Sequence, residues 1–207
     1  MVITLLLGVV AVAAVAAATP PSERTFASIS GPAQLLMSAT VPILGVLLVA
    51  GLRRPTRPAA ILSTVAAAVV LALLIAAFGV AVCASATAIV PSEAGADRWQ
   101  NAGVVAVGSL LVQGVAQLVG TGFGLLLQRR PAMACLATIV LPLGLWRLLG
   151  ALDAVRPLQA WLTPYPSAQH LLSGEMSSTN WAQWLVMLTI WGVGLNALGA
   201  ARASRRS

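Results

Sequence analysis

The sequence predicts an all-α, polytopic membrane protein with six transmembrane helices and both termini in the cytoplasm. Apolar residues make up 59% of the 207 residues and charged residues only 8%, whereas soluble domains have about 25% charged residues. The apolar residues form long uncharged runs, and the charges cluster in the turns between them. A run of about 20 such residues crosses the roughly 30 Å hydrocarbon core of a bilayer. We therefore treat residues 1–207 as a single transmembrane domain.

A helical hairpin around Gln128-Arg129-Arg130-Pro131 defines two of these spans, at residues 102–127 and 132–150. The turn carries two arginines and no acid, which is typical of a cytoplasmic loop. Pro131 suits the first position of the second helix, because that N–H would have no intrahelical partner.

The other four spans are predicted from the remaining apolar runs, at residues 2–18, 35–52, 60–84 and 181–200. We interpret 2–18 as a retained helix, with a signal peptide as the alternative, because it lacks a basic n-region. Residues 20–34 are predicted as a polar connection. The run at 59–90 exceeds one span, so we expect it either to tilt or to break near Ser85–Thr87. Residues 153–180 are predicted as an outer interfacial segment with short helical pieces around Pro164-Tyr165-Pro166.

The distribution of charge tests this topology. The predicted inner loops and tail hold eight arginines and no acid: Arg53, Arg54, Arg57, Arg129, Arg130, Arg202, Arg205 and Arg206. The outer side holds the other four arginines, Arg24, Arg98, Arg147 and Arg156, with all five acidic residues. Basic residues near span ends favour the cytoplasmic side, so the pattern predicts cytoplasmic termini.

Several functional classes are disfavoured by composition. The chain has no lysine, which excludes a GxxxxGK[ST] phosphate-binding loop. The arginines separate apolar runs and form no basic face with interleaved aromatic residues, so we expect no nucleic-acid partner. No ionisable residue lies in the middle of a predicted span, which argues against proton- or sodium-coupled transport. Cys83, Cys135 and His170 lack neighbours at ligand spacing, so we expect no catalytic residue, no metal and no cofactor in this chain.

Polar residues within the spans are concentrated on the fourth. Ser109, Gln113, Gln117 and Thr121 are spaced by four and share one helix face. In lipid they must face protein or water, so they form either an interhelical packing stripe or the border of a substrate pathway. On the same helix, Gly120 and Gly124 have the GxxxG spacing that permits close helix packing.

The arginine-rich turns also have two interpretations. One turn holds Arg53, Arg54 and Arg57, and the other holds Arg129 and Arg130. These arginines either determine topology alone or dock a cytoplasmic partner.

Three segments carry a resemblance to a known family. They are Val119–Ala132, Trp161–Pro166 followed by Ala168–Gly174, and Ala200–Arg206. Together with the order of spans and loops, they resemble the type 2 membrane permeases of ATP-binding-cassette (ABC) exporters, particularly the alanine-rich actinobacterial forms. The resemblance covers nearly the full chain.

The resemblance implies a permease subunit in a bacterial plasma membrane, with six spans and a second permease subunit, identical or paralogous, beside it in the lipid. It also implies a separate cytoplasmic ABC ATPase that binds ATP and Mg and contacts the loop at Arg53–Pro58, with export as the expected direction. The alternative expectation is a non-transporting scaffold or accessory subunit of a larger membrane complex.

Overall fold

The computed structural model describes residues 2–52 and 58–205, with only the backbone of Pro58. These residues form nine α-helices and no strand: α1 (Val2–Ala18), α2 (Phe26–Ala50), α3 (Pro58–Ile89), α4 (Ala102–Leu126), α5 (Pro131–Ala151), α6 (Gln159–Leu162), α7 (Pro164–Ser173), α8 (Ser178–Met187) and α9 (Leu195–Ser204). A π-helical stretch, Leu188–Gly194, joins α8 to α9. The predicted all-α class is confirmed.

Five helices in the described ranges are long and apolar enough to cross a membrane: α2, α3, α4, α5 and the continuous helix Ser178–Ser204. They are compatible with a multi-pass membrane protein. The remaining predicted span, residues 2–18, corresponds to α1. This helix has 17 residues and is about 25 Å long at 1.5 Å per residue. It packs within the bundle, where Ala11, Val12 and Ala16 are buried against α2 and α3.

The predicted start of the second span at residue 35 is wrong, because α2 already begins at Phe26. Thr25 and Ser28 form a capping box, in which each side chain accepts from the other residue's backbone N–H. Residues 26–34 of the predicted connection therefore lie inside the helix, whereas Glu23 and Arg24 precede it. Ser30 and Gln34 are fully buried there.

The third span runs without a break from Pro58 to Ile89, so both the predicted range 60–84 and the alternative break near Ser85–Thr87 are corrected. The hydroxyls of Ser85 and Thr87 donate to the carbonyl oxygens of Ala81 and Cys83, four residues earlier. Their hydrogen bonds stay within the helix and do not interrupt it.

The hairpin and the final span agree more closely with expectation. The helices α4 and α5 lie within a residue of the predicted ranges, and Pro131 occupies the first turn of α5. The last helix is longer than 181–200, since the Ser177 hydroxyl accepts from the N–H of Asn180 and caps α8 at Ser178.

The predicted outer segment contains α6 and α7, and α7 packs into the bundle. Leu171 and Leu172 are buried against α2 and α4. A Cβ added at Gly108 would overlap the carbonyl oxygen of Leu171, so the small residue on α4 permits this approach. The helix α4 is thus central, with contacts to α2, α3, α5, α7 and α9.

Candidate functional site

All four polar residues predicted to share one face of α4 are fully buried. Ser109, Gln113, Gln117 and Thr121 each have 0% exposure. Ser109 donates to the carbonyl oxygen of Val105 on its own helix, at 2.8 Å. The other three make hydrogen bonds to neighbouring helices, and this is the arrangement that the packing interpretation expects.

Gln113 connects α4 to α2 through Gln34. Its Nε2 donates to the backbone carbonyl oxygen of Gln34 at 2.9 Å and to the Gln34 Oε1 at 3.0 Å. The remaining amide atoms, Gln34 Nε2 and Gln113 Oε1, have no hydrogen-bond partner within the described ranges. Sequence reasoning missed Gln34, because it lies in the stretch predicted as a connection.

Gln117 makes a second connection from α4 to α2. With the amide orientation that its surroundings favour, its nitrogen donates to the carbonyl oxygen of Val41 at 2.7 Å. Its oxygen accepts from the N–H of Gly45 at 3.3 Å. The side chain therefore bonds to the backbone of α2 beside Pro42, where the proline ring removes one N–H from the helix.

Thr121 connects α4 to α9 through Asn196. Its hydroxyl and the Asn196 Oδ1 are 2.8 Å apart. Asn196 Nδ2 donates to the carbonyl oxygens of Leu118 and Gly192, both at 2.7 Å. Sequence reasoning also missed Asn196, although a single amide within an apolar run was a signal that it needs a partner.

The glycines predicted for close packing lie where α2 and α4 approach each other. A Cβ added at Gly120 would lie 2.6 Å from the Cα of Pro42, and one at Gly124 would lie 3.1 Å from the Cα of Val46. From the other side, a Cβ at Gly45 would lie 2.9 Å from the Gln117 carbonyl oxygen. Backbone atoms cannot move aside as a flexible side chain does. The close approach of the two helices therefore depends on these glycines.

The structure describes only one of the two groups of arginines proposed for docking. Arg53, Arg54 and Arg57 lie outside the described residues. Arg129 and Arg130 follow α4, and both are exposed. Within the described ranges, neither side chain donates a hydrogen bond.

Two arginines on the predicted outer side have structural partners. Arg24 donates to the carbonyl oxygens of Thr19 and Pro91, at 2.8 and 3.0 Å, and so ties two connections together. Arg98 donates to the carbonyl oxygens of Thr87 and Val90 at the end of α3. A cation suits that position, since the C-terminal carbonyls of a helix carry partial negative charge.

An apolar cleft lies between part of α5 and the rest of the bundle. Side chains of α2, α4, α5, α7 and α8 line it, and its volume is about 310 Å³. This volume is at the lower end of the range for small-molecule sites. None of the lining residues carries a charge. Sequence spacing could not predict this cleft, because it forms only where five helices meet.

The cleft's polar side chains differ in whether their donors have partners. Ser38 and Thr138 donate to carbonyl oxygens on their own helices, both at 2.7 Å. Trp184 is 8% exposed, and its buried indole N–H has no hydrogen-bond partner among the described residues. A buried donor without a partner costs about 1–3 kcal/mol.

Comparison of the chain with protein-family models, with curated proteins and with solved structures gave no match.

Proposed function

We propose that this chain is a permease subunit of an ABC exporter in a bacterial plasma membrane, with α1 as the first of six spans. It pairs with a second permease subunit, identical or paralogous, and a separate cytoplasmic ATPase supplies the energy by binding ATP and Mg. The single observation that carries the proposal is the uncharged cleft of about 310 Å³ between α5 and the rest of the bundle.

The chemistry of the cleft argues for an external energy source. Transport coupled to protons or sodium uses ionisable groups near the middle of the membrane. None of the residues lining the cleft carries a charge, and within the described spans Arg147 and Arg202 lie close to helix ends. A partner ATPase would therefore supply the energy for transport. The turn at Arg129 and Arg130 offers it a cationic surface.

The resemblance supports the same assignment. It implies an outer piece between the fifth and last spans, and the chain forms α6 and α7 at that place. It also implies a glycine-rich end to the fourth span, where Gly120, Gly122 and Gly124 each face a neighbouring helix.

The second candidate is a non-transporting scaffold or accessory subunit. The observation that favours it is the full burial of the polar stripe at Ser109, Gln113, Gln117 and Thr121. A stripe bonded to α2 and α9 borders no open pathway in this conformation, so its role is then assembly alone.

Affinity purification of the full chain from its native membrane separates the two candidates. The permease proposal expects a nucleotide-binding protein with a phosphate-binding-loop lysine, whose ATPase activity changes when this chain is present. Replacing both Arg129 and Arg130 by alanine should weaken that association. Arg156→Ala, at an arginine on the predicted outer side, is the matched control. Purified complexes without any nucleotide-binding protein would contradict the proposal.

The double variant Gln113→Leu and Gln117→Leu tests the stripe in the same preparation. Lost transport with intact assembly supports a pathway, whereas lost assembly supports packing. The hydrogen bonds to Gln34, Val41 and Gly45 lead us to expect weakened assembly.

A further inference from the structure

A second apolar groove, here called the α3–α9 groove, lies where the start of α3 faces the end of α9. Its volume is about 420 Å³, and the described residues that line it are Ile61, Leu62, Val65, Asn196, Ala200, Ala201 and Ser204. We infer that this groove binds one chain of an anionic phospholipid, whose phosphate lies against Arg205. The inference concerns lipid binding alone and does not rest on the transport proposal.

The lining of the groove favours hydrocarbon. Leu62 is 71% exposed, and Ala201 on the other wall is also exposed, so the groove opens to the surface that faces lipid. The polar side chain of Asn196 is already bonded to α4, through Thr121 and the Leu118 carbonyl oxygen. An acyl chain therefore meets aliphatic walls and no amide that needs a partner.

The groove ends beside a cation. Arg205 directly follows the lining residue Ser204, and its backbone N–H donates to the carbonyl oxygen of the lining residue Ala201. Residues four apart lie on the same side of a helix, so Arg205 continues the α9 wall by one turn. It is exposed, and its charge favours a ligand with an anionic group at the end of its chain.

This end of the bundle carries cations without acids. The ends of α2, α4 and α9 meet the start of α3 in one buried cluster, Val49, Ile61, Leu125 and Ala203. Arg129, Arg130 and Arg202 lie within five residues of that cluster. All five acidic residues of the chain lie in the connections that follow α1, α3, α5 and α7, at the other end. Arginines clustered next to a membrane span attract anionic lipid headgroups.

The depths of the groove and of Arg205 match the two parts of a phospholipid. The helix Ser178–Ser204 has 27 residues, or about 40 Å, which is close to the thickness of a bilayer with its headgroup layers. Arg205 comes directly after this helix and so lies at the level of the headgroups. The lining runs from Ser204 back to Asn196, about 12 Å along the axis, and so reaches into the hydrocarbon.

Photolabelling of the purified full chain in phosphatidylcholine nanodiscs tests the inference. The probes are a phosphatidylglycerol and a phosphatidylcholine with identical acyl chains and the same diazirine, each added in trace amounts. We expect adducts on groove residues of α3 and α9, with phosphatidylglycerol labelling them about five-fold more, the factor for one arginine acting on an anionic lipid. Equal labelling by the two probes, or adducts without enrichment in the groove, would overturn the inference.

Two variants test the charge. Arg205→Gln should bring the ratio of phosphatidylglycerol to phosphatidylcholine labelling close to one. Arg130→Gln is the matched control, because it removes one charge at the same end of the bundle but on the turn before α5, outside the groove lining. If both variants lower the ratio equally, the preference comes from the overall charge of this end and the inference is wrong.

The space is tested at Ala201, which lines the groove and is exposed. Ala201→Phe should reduce groove labelling by both probes several-fold, whereas Ala132→Phe, at an exposed position of α5 outside the groove, should not. Unchanged labelling in Ala201→Phe would contradict the inference, and this pair keeps the test decisive if Arg205→Gln does not fold.

A soluble competitor separates a lipid from a free anion. Excess glycerol 3-phosphate carries the phosphate without an acyl chain, so it should leave the labelling largely unchanged. Full displacement by it would contradict the inference. Because no ATPase is present, a negative result here leaves the transport proposal to its own test.

Discussion

The interface between α2 and α4 and the attachment of α5 represent two different ways of holding a helix in this bundle. In the most apolar 18-residue window, 44% of the residues of α2 are buried, against 11% in α5. The α2–α4 interface combines close backbone approach at Gly120 and Gly124 with side-chain hydrogen bonds from Gln113 and Gln117. In lipid, helix association depends on such packing and hydrogen bonding, because apolar surface alone gains little from leaving the bilayer.

The attachment of α5 has few of these features. A Cβ added at Gly144 on α5 would have no atom within 4 Å, in contrast to one added at Gly120. Near its C-terminal end, α5 is fastened by Gln159, which donates to the Trp146 carbonyl oxygen at 2.8 Å, and by the Trp146–Tyr165 ring contact. Near its N-terminal end Ala134 is buried. The cleft lies between these points, so α5 forms the less firmly held wall of the bundle.

The largest effect is expected at Gly120. Gly120→Ala should lower the free energy of unfolding by about 3 kcal/mol or more, because its Cβ would overlap the backbone of Pro42. Unfolding in mixed micelles, followed by circular dichroism, measures this. Gly114→Ala is the control on the same helix, since nothing lies within 4 Å of its added Cβ. Similar values for the two variants would mean that α2 and α4 are not in close contact.

A smaller effect is expected from the amide pair. Gln113→Leu removes the hydrogen bonds to Gln34 and should cost about 1 kcal/mol, a typical value for such pairs in membrane helices. A double-mutant cycle with Gln34→Leu isolates the coupling between the two side chains. A coupling energy near zero would mean that the Gln113–Gln34 pair does not stabilise the interface.

The hydrogen bond near the C-terminal end of α5 should contribute less to global stability. Gln159→Ala removes one hydrogen bond to the Trp146 carbonyl oxygen, which contributes about 0.5–1 kcal/mol. The same unfolding assay applies, with Gln100→Ala, at an exposed residue outside the cleft, as the control. If Gln159→Ala destabilised the bundle as much as Gly120→Ala, α5 would be held as firmly as α2 and α4 hold each other. That result would contradict the difference between the two attachments.

The smallest effect is expected at Gly144. Because a Cβ added there has open space, Gly144→Ala should leave stability unchanged or raise it by up to about 1 kcal/mol through helix propensity. Stability is measured both in the purified chain and in native membranes. Destabilisation in native membranes alone would indicate that a partner subunit covers this face of α5.

The sequence was sufficient for the elements that depend on local pattern. The uncharged runs predicted α4 and α5 to within a residue, and the four-residue spacing predicted that Ser109 to Thr121 share a face. It failed at α2, because the polar connection that holds Glu23 and Arg24 was extended as far as Gln34, whereas Ser30 and Gln34 are buried inside the helix. Thr25 and Ser28 provided a capping signal for the earlier start.

Contacts between distant segments could not be predicted from spacing. The partner of Gln113 is 79 positions away on α2, and that of Thr121 is 75 positions away on α9. The cleft combines side chains from five helices, so its volume and the unpaired N–H of Trp184 follow only from tertiary packing.

We infer that α4 and α2 form a fixed centre and that α5 is the less firmly held wall beside the cleft. Pulsed electron paramagnetic resonance tests it with spin labels at exposed positions, Val107 on α4 paired with either Leu47 on α2 or Val140 on α5. Cys83 and Cys135 are first replaced by alanine. We predict a narrow distance distribution for the α2 pair and a clearly broader one for the α5 pair. Equally narrow distributions would contradict the claim.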